Sequence, residues 1–177
     1  MAELNIIIAG FGGQGVLFTG KVMAYAGLID EKEISWLPSY GPEMRGGTAN
    51  CSVCISDSPI GSPLVTAPNI LIAMNTPSFD KFINMVVPGG KVITDSSLVK
   101  VNTARTDVEI FEIPATELSA AEDLSGLSNI IILGKVLKET GFTSFETVEN
   151  AISKCVPARK QHLLEPNMRA IKLGMSK

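Results

Sequence analysis

Apolar residues in this chain come in short, dense runs separated by glycine and proline, and the spacing within the runs differs. Leu4 to Ala9 (LNIIIA) is apolar almost throughout and ends at a glycine, which predicts a short strand buried on both faces. Val16 to Ile29 is apolar nearly all round, broken mainly by Thr19 and Lys21, and predicts a helix packed on a sheet and covered on its outer side too. Glu33 to Leu37 predicts a second strand stopped by Pro38, Thr48 to Ser56 a third and Asn69 to Met74 a fourth. At Thr76-Pro77 the pattern turns helical, with Thr76 as cap, proline in the first turn, and Phe79, Phe82, Ile83 and Val86 on one face. Pro88-Gly89-Gly90 breaks that helix, and Lys91 to Asp95 and Val108 to Ile113 are further strands. After Pro114 the chain reads as helices over about 116–124, 129–140 and 145–156, with a last one beyond Pro166. Thr143 with Glu146 supplies a capping box for the third of these.

Strands alternating with helices place the chain in the α/β class, as a mostly parallel Rossmann-like sheet with flanking helices and a helical C-terminal third. At 177 residues it reads as a single domain, 1–177, with no internal repeat and no linker.

Composition narrows the function classes. No apolar run approaches the roughly 18 residues that span a bilayer, and the N-terminus lacks the pattern of a signal peptide. A cytoplasmic protein without membrane contact is the expectation. A net charge of −3 provides no global basic field for nucleic acid. The single histidine, His162, excludes a paired-histidine metal site, and its polar surroundings suit a surface residue. Three cysteines, Cys51, Cys54 and Cys155, suit reduced thiols better than a disulfide framework. Only 19% of residues are charged, against the roughly 25% usual in a soluble domain. That shortage predicts that part of the surface is interface, the outer side of the Val16–Ile29 helix included.

Gly10-Phe11-Gly12-Gly13-Gln14-Gly15 matches G-x-G-x-x-G between the first strand and the first helix. Such glycines permit a tight turn, and the helix N-terminus behind them offers free N–H groups and partial positive charge to an anion. A tight turn without a ligand is the alternative. Nicotinamide binding is disfavoured, because the end of the second strand offers Trp36-Leu37-Pro38-Ser39-Tyr40 with no carboxylate for a ribose.

Ser39 to Thr48 (SYGPEMRGGT) is a constrained loop expected at the carboxyl edge of the sheet, beside the glycine turn. Arg45 can clamp a carboxylate or phosphate through paired donors, or simply pair with Glu43. Cys51-Ser52-Val53-Cys54 is a C-x-x-C, but a four-cysteine cluster needs one more thiolate than the chain has. Residues three apart in a strand also point to opposite faces, so the pair reads as small buried residues. Asp95-Ser96-Ser97 closes a strand and reads mainly as a turn, with contact to substrate or partner as the alternative, and Asn75 can donate to a ligand, although capping by Thr76 explains most of that junction. Phe11 and Trp36 flank the proposed crevice, with core packing as their default. Lys154, Arg159 and Lys160 form a small basic group near the chain end.

GFGGQGV (Gly10–Val16), SYGPEMRGGTANC (Ser39–Cys51), SPIGSP (Ser58–Pro63), Pro88-Gly89-Gly90 and Asn167-x-x-Ala170-x-x-x-Gly174 together resemble the gamma subunit of 2-oxoacid:ferredoxin oxidoreductases. The resemblance covers nearly the whole chain. It implies a complex in which thiamine diphosphate and magnesium are held by other subunits, iron–sulfur clusters carry electrons to ferredoxin, and coenzyme A receives the acyl group. No cofactor is assigned to this chain alone. The implied partners are alpha, beta and delta-type subunits, and the isolated chain is left open to forming a homodimer. The Ser39–Gly47 loop is most similar to the 2-oxoglutarate type, then the branched-chain 2-oxoacid type, then pyruvate. By the same resemblance the candidate cofactor-binding residues are Gly12, Gly13, Gln14, Gly15, Tyr40, Gly46 and Gly47, and the candidate catalytic residues are Arg45 and Glu43. A stand-alone nucleotide- or phosphate-binding module is the alternative from another class.

Overall fold

The computed structural model describes residues 3–39 and 48–177. Six strands form one sheet: β1 (Leu4–Phe11), β2 (Glu33–Ser39), β3 (Thr48–Ser56), β4 (Ile70–Ala73), β5 (Lys91–Asp95) and β6 (Glu109–Ile113). Their spatial order is β2-β3-β1-β4-β5-β6. β1, β4, β5 and β6 run parallel to one another, as expected of strands joined through crossovers. β3 pairs antiparallel with both β1 and β2, so the mostly parallel sheet carries an antiparallel hairpin at one edge.

The helices are α1 (Val16–Ile29), α2 (Thr76–Phe82), α3 (Ala115–Ala121), α4 (Ser128–Thr140), α5 (Phe145–Cys155) and α6 (Leu164–Ser176). Both sheet faces are covered, which is why β1 is apolar without alternation. Ile6 and Ile8 join the core under α1, α4, α5 and α6, whereas Ile7 and Ala9 join the core under α2.

Four expectations need correction. Pro38 does not stop β2, which continues to Ser39; β2 is an edge strand, where a missing N–H donor is tolerated. The cap of α2 is Asn75, whose side chain accepts from Ser78 N at 2.8 Å, and Thr76 instead donates to Leu98 O at 3.1 Å. The cap of α5 is Ser144 and not Thr143, with Thr147 N donating to the Ser144 hydroxyl at 3.0 Å. Thr143 and Thr147 both donate to Asp30, which ends α1. The outer side of α1 is covered by α5 and α4 of the same chain, so much of what was expected to be subunit interface is internal packing.

Candidate functional site

β1 delivers the chain to the glycine turn at Phe11, and Gln14 N donates to Phe11 O at 3.2 Å to close it. Gly13 and Gly15 have φ of +94° and +75°, a left-handed backbone that glycine adopts without steric cost. The Gln14 side chain folds back beneath the turn. Its Oε1 accepts from Phe11 N at 2.6 Å and from Asn75 Nδ2 at 3.4 Å, while its Nε2 donates to Met74 O at 3.1 Å. One amide thus ties together the ends of β1 and β4. Gly10 makes room for it, since a Cβ there would lie 2.6 Å from Gln14 Oε1 and 2.9 Å from Val16 Cγ2. Gln14 therefore shapes the turn through its side chain.

A second amide holds the other end. Asn129, in the first turn of α4, donates through Nδ2 to Gly15 O and to Thr19 Oγ1, both at 3.2 Å. Any Cβ on Gly15 would strike this side chain. Sequence reasoning did not single out Asn129. The signal available was one amide preceding the apolar run Ile130–Leu133, a position that reads equally well as part of a helix start.

No side chain caps α1 and no acid occupies its first turn, so the helix end behind the glycines keeps its positive character. Two hollows flank the turn and share Gly13, Gly15 and Phe18. One, of about 270 Å³, lies toward Phe11, Leu17 and Ala49. The other, of about 350 Å³, lies between the turn, the start of α4, the end of α5 and the start of α6.

Ser39, which ends β2, pairs with Asn50, and Thr48, which starts β3, pairs with Phe11. The residues flanking the Tyr40–Gly47 segment therefore sit at the same edge as the glycine turn. Tyr40, Glu43, Arg45, Gly46 and Gly47 themselves lie outside the described residues.

The remaining candidates resolve as follows. Asp95 is fully buried and accepts from Ser97 N, from Thr116 N and from Thr116 Oγ1, the last at 2.5 Å, so it organises the start of α3. Cys51 and Cys54 face opposite cores from β3, which prevents them from sharing a ligand. Burial pushes the Cys51 thiol up to about 12, with the Trp36 indole beside it opposing the rise, and burial also raises Cys54 and Cys155. Trp36 packs on the core under α1, whereas Phe11 is 40% exposed at the edge. His162 is exposed, as are Lys154, Arg159 and Lys160. Among the described residues no group of three or more His, Cys, Asp or Glu could hold a metal ion, and no helix is long and apolar enough to cross a membrane.

Residues 5–177 match the family described as pyruvate ferredoxin/flavodoxin oxidoreductase. The ketoisovalerate oxidoreductase subunit VorA of Methanothermobacter thermautotrophicus is 37% identical over 174 residues, covering 97% of this chain. The chain spans only 36% of that relative's length. The 2-oxoglutarate synthase subunit KorC of Methanocaldococcus jannaschii is also 37% identical, over 96% of this chain and 91% of the relative. The crystal structure of the gamma subunit of a keto/oxoacid ferredoxin oxidoreductase from Geobacter sulfurreducens superposes with a TM-score of 0.87 at 30% identity, over 100% of this chain and 97% of that one.

Proposed function

The chain belongs to the pyruvate ferredoxin/flavodoxin oxidoreductase family, and from that premise we propose that it is the gamma component of a 2-oxoacid:ferredoxin oxidoreductase acting on 2-oxoglutarate. The overall reaction oxidatively decarboxylates the 2-oxoacid, transfers the acyl group to coenzyme A and passes two electrons to a low-potential acceptor. The chain works in the cytoplasm as one subunit beside alpha, beta and delta-type partners. Thiamine diphosphate, magnesium and the iron–sulfur clusters belong to those partners. The opposed faces of Cys51 and Cys54 support placing the clusters elsewhere.

The observation that carries the chain's own role is the rigid, uncapped start of α1. Gly12, Gly13 and Gly15 present backbone amides in a turn pinned by Gln14 and Asn129, with no acid in the first turn of the helix. That arrangement suits a wall of the crevice at the subunit junction, facing the anionic groups of a cofactor or of coenzyme A. Tyr40, Gly46 and Gly47 are assigned to the same cofactor-binding set, and Arg45 and Glu43 to the catalytic set, on the resemblance of the SYGPEMRGGT segment.

The near full-length match to a 2-oxoglutarate synthase subunit and the likeness of the Ser39–Gly47 loop support 2-oxoglutarate. The equal identity to a ketoisovalerate subunit makes 2-ketoisovalerate the second reading. Reconstitution with the partner chains and assay across 2-oxoglutarate, 2-ketoisovalerate and pyruvate tests this directly. The highest kcat/KM is expected for 2-oxoglutarate. Arg45→Ala is expected to lower turnover or coenzyme A affinity of the complex, and an unchanged enzyme would refute the site.

A further inference from the structure

On the sheet face opposite α1 the helical cover is incomplete. α2 lies on β1 and β4, and over β3 its place is taken by the loop 57–69. There Val65 N donates to Ser52 Oγ at 3.4 Å, and the Cys54 thiol meets Ser62 O at 3.9 Å. Trp36 packs into the core under α1, so its neighbour Leu37 points to this second face. Leu37 pairs with Ser52 across the β2–β3 ladder, and the Val65–Ser52 bond therefore places Leu64 over the same hairpin. Leu37 is 38% exposed and Leu64 is 59% exposed. Two large apolar side chains thus stand in water on a face that is covered elsewhere in the sheet.

The rim of this face is acidic. Glu33 lies on the same side of β2 as Leu37 and pairs with Ser56. Glu3 precedes Leu4, the partner of Ile55, so the two glutamates flank the end of β3. Both are exposed, and among the described residues neither makes an ion pair. Glu3 also lines a hollow of about 190 Å³ with Asn5, Ser62, Leu64 and Thr66. That is below the roughly 300–1,000 Å³ of small-molecule sites and matches one long side chain. A carboxylate and hydroxyls beside a leucine fit arginine, whose stem packs on apolar surface while its N–H groups seek oxygen acceptors. β2, β3 and the loop 57–69 contain no lysine or arginine. A second copy laid on this face by the same face would leave the acids unmatched, so charge favours a different, basic partner.

We propose that the face made by β2, β3 and the loop 57–69 docks a segment of a partner subunit, with an arginine of that segment in the hollow beside Glu3 and an apolar side chain over Leu37 and Leu64. The proposal rests on the reading of this chain as one component of a larger enzyme. It places the contact on the side of the sheet away from α1, whose own outer side is covered by α5 and α4.

Association of the full chain with its partner subunits, measured by sedimentation, tests the proposal. Leu64→Asp and Glu3→Lys are each expected to weaken association about tenfold or more, as anchor contacts do. Both positions are exposed, so both variants should keep the parent's melting transition. Leu28→Asp, at an equally exposed leucine on α1, is the control and should assemble like the parent. Hydrogen exchange of the unaltered chain gives a readout independent of any variant's folding: the amides of Gly61, Ser62 and Leu64 should slow on assembly. The proposal is overturned if either variant assembles as tightly as the parent, if those amides exchange equally fast in the complex, or if the isolated chain is a dimer that Leu64→Asp makes monomeric. An assembled complex inactive toward all 2-oxoacids refutes the proposed function and leaves this face standing, whereas a chain that joins no partner refutes both.

Discussion

Gly134 of α4 and Gly174 of α6 lie against each other so closely that neither helix has room for a side chain at the crossing. A Cβ on Gly134 would strike Ile171 O and come within 3.1 Å of the Gly174 Cα, and a Cβ on Gly174 would strike Ile131 O. The Asn167-x-x-Ala170-x-x-x-Gly174 spacing thus has a packing reason. Its three residues are all buried, and Gly174 lets α6 lie on the helix that carries Asn129 to the glycine turn.

Replacing Gly134 or Gly174 with alanine is therefore expected to destabilise the protein by about 1–3 kcal/mol each, through overpacking of backbone that cannot give way. Because both changes push the same two helices apart, the double variant should cost less than the sum. Urea unfolding of the two single variants and the double variant measures this.

Within the glycine turn, Gly13 and Gly15 share a positive φ but differ in surroundings. Nothing stands within 4 Å of a Cβ on Gly13, whereas one on Gly15 meets the Asn129 amide. Gly13→Ala should cost about 1 kcal/mol from backbone conformation alone. Gly15→Ala should cost distinctly more, and Gly15→Ala combined with Asn129→Ala should recover part of the difference. Thermal melts of the set decide it.

Gln14→Ala removes the partner of Phe11 N and of Met74 O at once. An expected loss of about 1–3 kcal/mol follows from leaving such groups unsatisfied. Faster hydrogen exchange at the Phe11 amide is the local signature, readable in a native-state exchange experiment.

Asp57 bonds the Lys32 ammonium, which holds its carboxyl down to about 2 from the ordinary 3.8. A carboxyl depressed in the folded state contributes stability above pH 3.8, and that contribution is lost as the pH falls toward 2. Asp57→Asn should flatten the stability profile in this acid window. The pair is exposed, so the effect should shrink in high salt.

Burial raises all three thiols above their ordinary range, Cys51 to about 12. A disulfide reagent at pH 8 should find no rapidly reacting thiol in the native chain and three in denaturant. Rapid reaction in the native state would contradict the packing of β3 and of the end of α5.

Where local signals suffice, sequence and structure agree to the residue: α1 over Val16–Ile29, β3 over Thr48–Ser56 and β5 over Lys91–Asp95. Hydrophobic periodicity and glycine or proline breaks act over a few residues, so they can be read from the chain alone. The glycine turn was legible for the same reason. Caps were legible only to within one residue. Asn75 and Thr76, or Thr143 and Ser144, are chemically able to do the same work. Distant partners choose between them: Leu98 draws off Thr76, and Asp30 draws off Thr143. The antiparallel place of β3 between β2 and β1, and the closing of α5 and α4 over α1, are also tertiary decisions. So is the meeting of Asn129 with Gly15 across 114 residues. Local periodicity says which face of an element is buried. What covers that face depends on which other faces remain to be buried once the whole chain has collapsed, and no short window of sequence contains that information.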